Sequence, residues 1–142
     1  MSCFPVNADR DERLPAPARV ALVAEILADY VRVRRRLRRS DLLTTLEELR
    51  GEQAGTDTSR SRYTASRLGR AVARTLAFLP TDTRCLTQSL VLTSLLARRG
   101  IDSALVLGVT TESGFGAHAW LECGGRPVLP SGGAQFGRLA EL

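Results

Sequence analysis

The fold of this chain of 142 residues is decided by the stretch CLTQSLVLTSLLARRG, residues 85–100. Leucine and valine spread around most of the helical circumference of this stretch, with only small hydroxyl residues between them. That distribution predicts a central helix that is buried on several sides. Arg98 and Arg99 suit the negative end of a helix, and Gly100 suits a left-handed stop.

The chain after this helix changes to strand patterning. Residues 103–109 (SALVLGV) and 117–123 (AHAWLEC) are short apolar runs, and Gly124 and Gly125 separate the second run from residues 126–129. A Gly-Gly pair between two such runs predicts a two-residue hairpin turn. Helices followed by a small antiparallel sheet make an α+β domain.

Residues 17–79 have helical spacing. The first helix begins near Ala18 and is expected to pack through Val20, Val23, Ala24, Leu27 and Val31. Ser40 is the expected N-cap of a second helix that closes near Gly51, and residues 51–61 are expected to form a loop. A third helix ends at Pro80 and is expected to bury Leu68, Val72, Leu76 and Leu79.

The length and the 44% hydrophobic content predict one domain over residues 1–142, with a flexible lead-in over residues 1–16, a helical part over 17–79 and a core over 80–142. The net charge of +5 comes from arginine alone. Residues 32–39 hold six arginines, which usually form a solvated helix face; an acidic partner or a nucleic acid is the sharper alternative.

Several classes of site and location are disfavoured. The three cysteines are scattered and the chain has one histidine, so no metal or other cofactor is expected. The charged N-terminus does not resemble a signal peptide, and no apolar run is long enough to span a membrane. A reducing cytoplasm is therefore the expected location.

Cys85 and His118 are the candidate catalytic pair. Cys85 is expected in the first turn of the central helix, where the positive end of the helix dipole favours a thiolate and free backbone N–H groups can stabilise an oxyanion. His118 is the only imidazole available as a base. It can reach Cys85 if its strand packs over the start of that helix. Taken singly, the cysteine is more often a buried hydrophobe and the histidine more often structural.

A third group normally orients the imidazole. The two-residue turn pairs Cys123 with Arg126, and that register places Ser131 opposite His118. Glu122 lies on the same strand as His118 and about 13 Å away, too far for direct contact. Ser131, Gln135 or a backbone carbonyl is therefore the expected partner of the ring.

A family resemblance covers the chain from about Pro80 to its C-terminus. The runs that carry it are Cys85-Leu86, Ser89-Leu90, residues 95–101, Leu107-Gly108-Val109, residues 117–122 and residues 125–128. In order and spacing they resemble the transglutaminase-like cysteine peptidases of lasso-peptide biosynthesis. The resemblance implies a transglutaminase/papain-like core with a central nucleophile helix on the sheet, Cys85 as nucleophile and His118 as general base. The acidic third member of that family falls near Pro130 here.

The same resemblance implies a leader peptidase. Such an enzyme cuts the leader from a ribosomally made precursor, and a separate macrolactam synthetase then closes the ring on the freed core. The leader is captured by a small recognition domain. The chain has no length for one, so a stand-alone form with a separate leader-recognition protein is expected, with no nucleic-acid partner. Two alternatives stay open: a catalytically impaired scaffold that binds a precursor or partner, and a nucleic-acid-binding module that uses residues 32–39.

Overall fold

The computed structural model describes residues 15–51, 58–111, 116–129 and 137–142, and gives the backbone alone for residues 58–63 and 81–83. Within these ranges the helices all precede the strands, which confirms the expected α+β fold. The predicted lead-in lies largely outside the described residues. The elements are α1 (Ala16–Arg39), α2 (Leu42–Arg50), α3 (Thr58–Thr75), α4 (Thr81–Arg98), β1 (Ala104–Thr110), β2 (Gly116–Cys123), β3 (Arg126–Pro127) and β4 (Gly137–Glu141).

Helix α4 is the centre of the molecule, as its sequence predicts. It packs against α1, α2, α3 and the first two strands, chiefly β2. Its fully buried leucines and valine are contacted from all these sides and are Leu90, Val91, Leu92, Leu95 and Leu96. The buried hydroxyl residues between them leave room for these neighbours. Burial on this scale supplies most of the driving force for folding.

The predicted end of α4 is confirmed. Gly100 has a φ of 71°, its N–H donates to Ala97 O, and the N–H of Ile101 donates to Leu96 O. These two bonds form a Schellman motif, which satisfies the last carbonyls of the helix. The chain then turns directly into β1.

Helix α1 buries a different face from the one its sequence suggests. Ile26 and Val33 are buried, and so is the charged residue Asp29 between them. The predicted contact residues Val20, Val23, Ala24, Leu27 and Val31 are exposed. The helix has apolar side chains on two sides, and α4 selects the side that also presents acidic groups. Arg98 of α4 donates to both Asp29 oxygens and to Glu25.

Helix α2 begins one residue later than expected. Asp41, rather than Ser40, is its N-cap, and the Asp41 carboxylate accepts a hydrogen bond from the backbone N–H of Thr44 at 3.1 Å. Gly51 is the C-cap. Helix α3 starts at Thr58, which shortens the predicted loop, and residues 52–57 lie outside the described ranges. The four predicted core residues are buried as expected: Leu68, Val72, Leu76 and Leu79. The expected helix end at Pro80 is wrong, because α3 ends at Thr75 and Leu76 and Leu79 lie in the turn that follows.

The sheet is antiparallel, with the strand order β3-β2-β1-β4. Gly124 and Gly125 both have positive φ and form the predicted turn, which pairs Cys123 with Arg126. The sequence analysis did not predict β4, which pairs with β1 on the side away from β2. Within the described residues, none of the helices is long and apolar enough to cross a bilayer.

Candidate active site

Cys85 lies one turn further into α4 than its sequence position suggests. The helix begins at Thr81 with Pro80 as N-cap, and the backbone N–H of Arg84 already donates to Pro80 O at 3.1 Å. Thr81, Asp82 and Thr83 are inside the helix, so none of them is its N-cap. The N–H groups without an intrahelical acceptor belong to residues 81–83 and not to Cys85. This corrects the expectation that Cys85 occupies the first turn.

Four side-chain hydrogen bonds hold the backbone around Cys85. The Arg84 guanidinium donates twice to Leu79 O, at 2.8 and 3.1 Å, which fixes the chain where it enters α4. Ser89 Oγ donates to Cys85 O at 2.8 Å, and Thr93 Oγ1 donates to Ser89 O at the same distance. Hydroxyls that bond back to the preceding turn need no partner outside the helix. The Cys85 side chain is half-buried.

His118 shares one face of β2 with Trp120 and Glu122, since side chains alternate along a strand. The imidazole and indole rings stack, with centroids 5.9 Å apart and an angle of 24° between their planes. The indole Nε1 then donates to Glu122 Oε1 at 3.0 Å. The histidine is half-buried, whereas Trp120 and Glu122 are buried. The indole therefore links the imidazole to a buried carboxylate.

Arg138 of β4 holds the Glu122 carboxylate from the other side of β1. Its two terminal nitrogens donate to the two Glu122 oxygens at 3.0 and 3.1 Å. Burial alone would raise the pKa of Glu122, but the hydrogen bonds from Trp120 and Arg138 outweigh it and hold that pKa below its usual value. Glu122 is therefore an anion at neutral pH, with a fixed orientation.

Gly108 makes room for the Trp120 indole. It pairs with His118 on one side and with Arg138 on the other, so the three residues form one row across the sheet. A Cβ at Gly108 would lie 2.7 Å from Trp120 Cζ3. Only a glycine lets the indole lie flat over β1 at this position.

Contacts at two levels relate the height of α4 to that of β2. The Cys123 thiol donates to Asp102 O at 3.4 Å, just beyond the end of α4. Further back, Val128 N donates to Leu121 O, and a Cβ at Gly69 would contact both Val128 O and a methyl of Leu92. Leu92 and Leu121 therefore mark similar heights on the helix and the strand.

The rise per residue of a helix and of a strand gives the heights of Cys85 and His118 relative to Leu92 and Leu121. Seven helical residues separate Leu92 from Cys85, a rise of about 10 Å. Three strand residues separate Leu121 from His118, also a rise of about 10 Å. The cysteine and the histidine consequently lie at the same end of the α4–β2 pair.

Residues 27–141 match the family model of the transglutaminase-like superfamily. The chain belongs to this superfamily. Transglutaminase-like proteins are typically cysteine-type enzymes, and cysteine peptidases are common among them. Searches of curated proteins and of solved structures return no significant match.

The third member expected of a transglutaminase-like site lies outside the described residues, as do all three positions considered for it: Pro130, Ser131 and Gln135. The link from His118 through Trp120 to Glu122 was not predicted from the sequence, because only direct contact between His118 and Glu122 was considered. The alternation His-x-Trp-x-Glu on one strand was the available signal. Arg138 could not be found in this way, because its strand was not predicted.

In the part of this transglutaminase-like chain that the structure describes, no cluster of histidine, cysteine and carboxylate side chains has the arrangement of a metal site. Two of the carboxylates, those of Glu25 and Glu122, are instead engaged by arginines. Glu25 accepts from Arg98 and Arg99, and Glu122 accepts from Arg138.

Proposed function

We propose that this protein is a cysteine peptidase that removes the leader peptide from a ribosomally synthesised lasso-peptide precursor. One observation carries the proposal: in a transglutaminase-like chain, the only histidine lies on the strand that packs against the helix bearing Cys85. Idealised helix and strand rises support a position of both residues toward the same end of that pair. The motif resemblance from residue 85 to residue 128 supports the narrower substrate class.

The chemistry assigns one role to each member of the pair. The Cys85 thiolate attacks the carbonyl carbon of the bond between leader and core, and His118 gives a proton to the departing core amine. The leader is then a thioester on Cys85. Water, deprotonated by His118, attacks the thioester and releases the leader carboxylate and the thiol. The freed core amine is the group that a macrolactam synthetase needs.

Two residues bear on the imidazole in this mechanism, one outside the described ranges and one within them. Ser131, the proposed third member, would accept a hydrogen bond from the ring nitrogen that faces away from Cys85. Trp120 stacks on the ring and is itself held by Glu122 and Arg138. The stacked indole limits rotation of the ring, so it can supply part of the orientation that an acidic residue supplies elsewhere.

The test is a cleavage assay with the purified protein, the precursor and the separate leader-recognition protein, followed by mass spectrometry. We expect leader release by the wild type, and no release by Cys85→Ala or His118→Ala. The Cys123→Ala variant is the matched control, since Cys123 lies at the opposite end of β2 and should leave the cleavage rate unchanged. Leader release by Cys85→Ala would refute the proposal.

The scaffold alternative gives a different outcome in the same assay. It is motivated by Pro130, which stands near the position where the family has an acid. A scaffold would bind the precursor tightly and never cleave it, and Cys85→Ala would bind as tightly as the wild type. Binding without cleavage by the wild type would therefore favour the scaffold over the peptidase.

A further inference from the structure

The outward side of α1 carries an apolar stripe that the fold does not use. Val20, Val23, Leu27 and Val31 recur at helical spacing and are 69%, 41%, 39% and 45% exposed. By rotation of about 100° per residue, the centre of the stripe lies about 115° around the helix from the midpoint of the buried residues Ile26 and Val33. A contiguous apolar strip on a surface helix is more typical of an interaction site than of a solvated face.

Aromatic groups extend the stripe along one flank. Phe78 is 65% exposed and packs edge-on against Tyr30, with ring centroids 6.0 Å apart. Arg34 lies over the Tyr30 ring at 5.6 Å from its centroid and donates to its hydroxyl at 2.8 Å. Exposed aromatic and arginine side chains are the types enriched at protein interfaces.

The stripe continues into basic side chains toward the end of α1. Arg38 lies on the same line of the helix as Val31, two turns further on, and Arg35 lies beside it. Both are exposed, and neither forms an ion pair with the described residues. Arg32 and Arg36 differ, because they pair with Asp29 and Glu48. The outer face of α1 is therefore apolar over three turns and positively charged over the next.

We propose that this outer face of α1, defined by Val20, Val23, Leu27, Val31, Arg35 and Arg38, docks an acidic amphipathic segment of a partner protein. Such a segment carries apolar side chains followed by aspartate or glutamate. Charge complementarity favours it over a second copy of this chain, whose net charge is also +5. The surface contains neither Cys85 nor His118, so the proposal stands independently of the peptidase activity.

Two synthetic peptides probe the surface. One is a labelled helical peptide of about 18 residues, or five turns, with leucines on one face over three turns and glutamates on that face thereafter. The other has lysine in place of each glutamate. By fluorescence anisotropy with the full chain, we expect the acidic peptide to bind at least about tenfold more tightly than the basic one, and its affinity to fall with salt.

Matched variants locate the binding. We expect Leu27→Ser to weaken binding of the acidic peptide at least about tenfold. Leu139→Ser should have no effect, although Leu139, on β4, is 70% exposed and Leu27 only 39%. We expect Arg38→Glu to weaken binding of the acidic peptide and to strengthen binding of the basic one. Arg39→Glu, one residue on and about 100° around the helix, should change both affinities much less. Circular dichroism of each variant is the control for correct folding.

The proposal is overturned if the acidic peptide does not bind the full chain, which includes the case in which residues 1–14 occupy the surface. It is also overturned if both peptides bind equally, or if Leu139→Ser weakens binding as much as Leu27→Ser. Sedimentation of the protein alone provides one more decisive outcome. A dimer that Leu27→Ser dissociates would assign the surface to a second copy.

Discussion

Glu122 and Trp120 explain how a strand histidine can be held without a carboxylate beside it. The stacked indole restricts the His118 ring, and the buried Glu122 carboxylate restricts the indole. Arg138 in turn neutralises Glu122, so the carboxylate is buried without the cost of an unpaired charge. These contacts follow from the alternation of side chains along β2, which puts His118, Trp120 and Glu122 on one face of the strand.

We expect Glu122→Gln to destabilise the protein by about 1 to 2 kcal/mol at pH 7, because charge-assisted hydrogen bonds are lost. Since the folded pKa of Glu122 lies below the usual 4.5, its stabilisation is complete above that pH and disappears as the pH falls through the folded value. Urea unfolding at pH 7 and at pH 3 should therefore show a difference between wild type and variant that narrows in acid.

Glu141→Gln is the matched control for this prediction. Glu141 also pairs with Arg138, but its side chain is 60% exposed, so the variant should change stability by less than about 0.5 kcal/mol. Equal effects of the two substitutions, or a Glu122→Gln effect that does not depend on pH, would contradict the account of Glu122.

Among the elements, the central helix and its C-terminal end were predictable from sequence, whereas the starts of α2 and α4 and the burial of α1 were not. The burial of α4 on several sides follows from leucines on most of its circumference, and its end follows from Gly100. Helix α1 has two apolar sides, and only one touches α4. The periodicity of Val20 and Leu27 could not decide between the sides, because the choice depends on the pairing of Asp29 with Arg98 across 69 positions of sequence.

Close contact between α3 and the end of the β2–β3 hairpin depends on Gly69. A Cβ there would lie 2.1 Å from Val128 O, a backbone atom that cannot move without shifting the hairpin. We expect Gly69→Ala to lower the free energy of unfolding by about 1 to 3 kcal/mol, as for an overpacked core site. Denaturant titration is the measurement.

Gly51→Ala provides the comparison, because Gly51 has a φ of −63° and its nearest neighbours are 3.6 Å from an added Cβ. That variant should be neutral or more stable by up to about 1 kcal/mol, since alanine restricts the unfolded chain. If Gly69→Ala were as well tolerated as Gly51→Ala, the close approach of α3 to Val128 would be wrong.

At the scale of the whole molecule, ion pairs from Arg98 to the buried Asp29 and the partly exposed Glu25 connect the first helix to the central one. Asp29 is fully buried and accepts from Arg98, whose side chain also reaches Glu25. We expect Asp29→Asn to lower the free energy of unfolding by about 3 kcal/mol, the lower end of the range for breaking a buried pair, because Arg98 keeps Glu25. Thermal or urea unfolding measures this loss.

Glu25→Gln tests the same connection at a partly exposed site. Its carboxylate is 32% exposed and should contribute less than about 1 kcal/mol. We therefore predict that Asp29→Asn lowers the free energy of unfolding more than Glu25→Gln does. A larger loss for Glu25→Gln would contradict this prediction.

The arrangement of the whole sheet could be predicted in part. The pairing of β2 with β3 follows from Gly124 and Gly125, and the predicted register, with Cys123 opposite Arg126, is confirmed. Strand β4 has little of the apolar alternation that marks a strand, since β1 supplies its pairing and most of its side chains are exposed. The hydrogen bonds from Arg138 to Glu122 therefore could not be predicted from the sequence.

The central claim is that Cys85 is the nucleophile and that His118 activates it. The most direct test uses a leader peptide that ends at the cleavage site in a Michael acceptor, incubated with the full chain. Intact-mass measurement and peptide mapping should find one adduct, on Cys85, formed at least about a hundredfold more slowly in His118→Ala, in line with the usual contribution of a general base. An adduct on Cys3 or Cys123, or equal labelling rates with and without His118, would contradict the account.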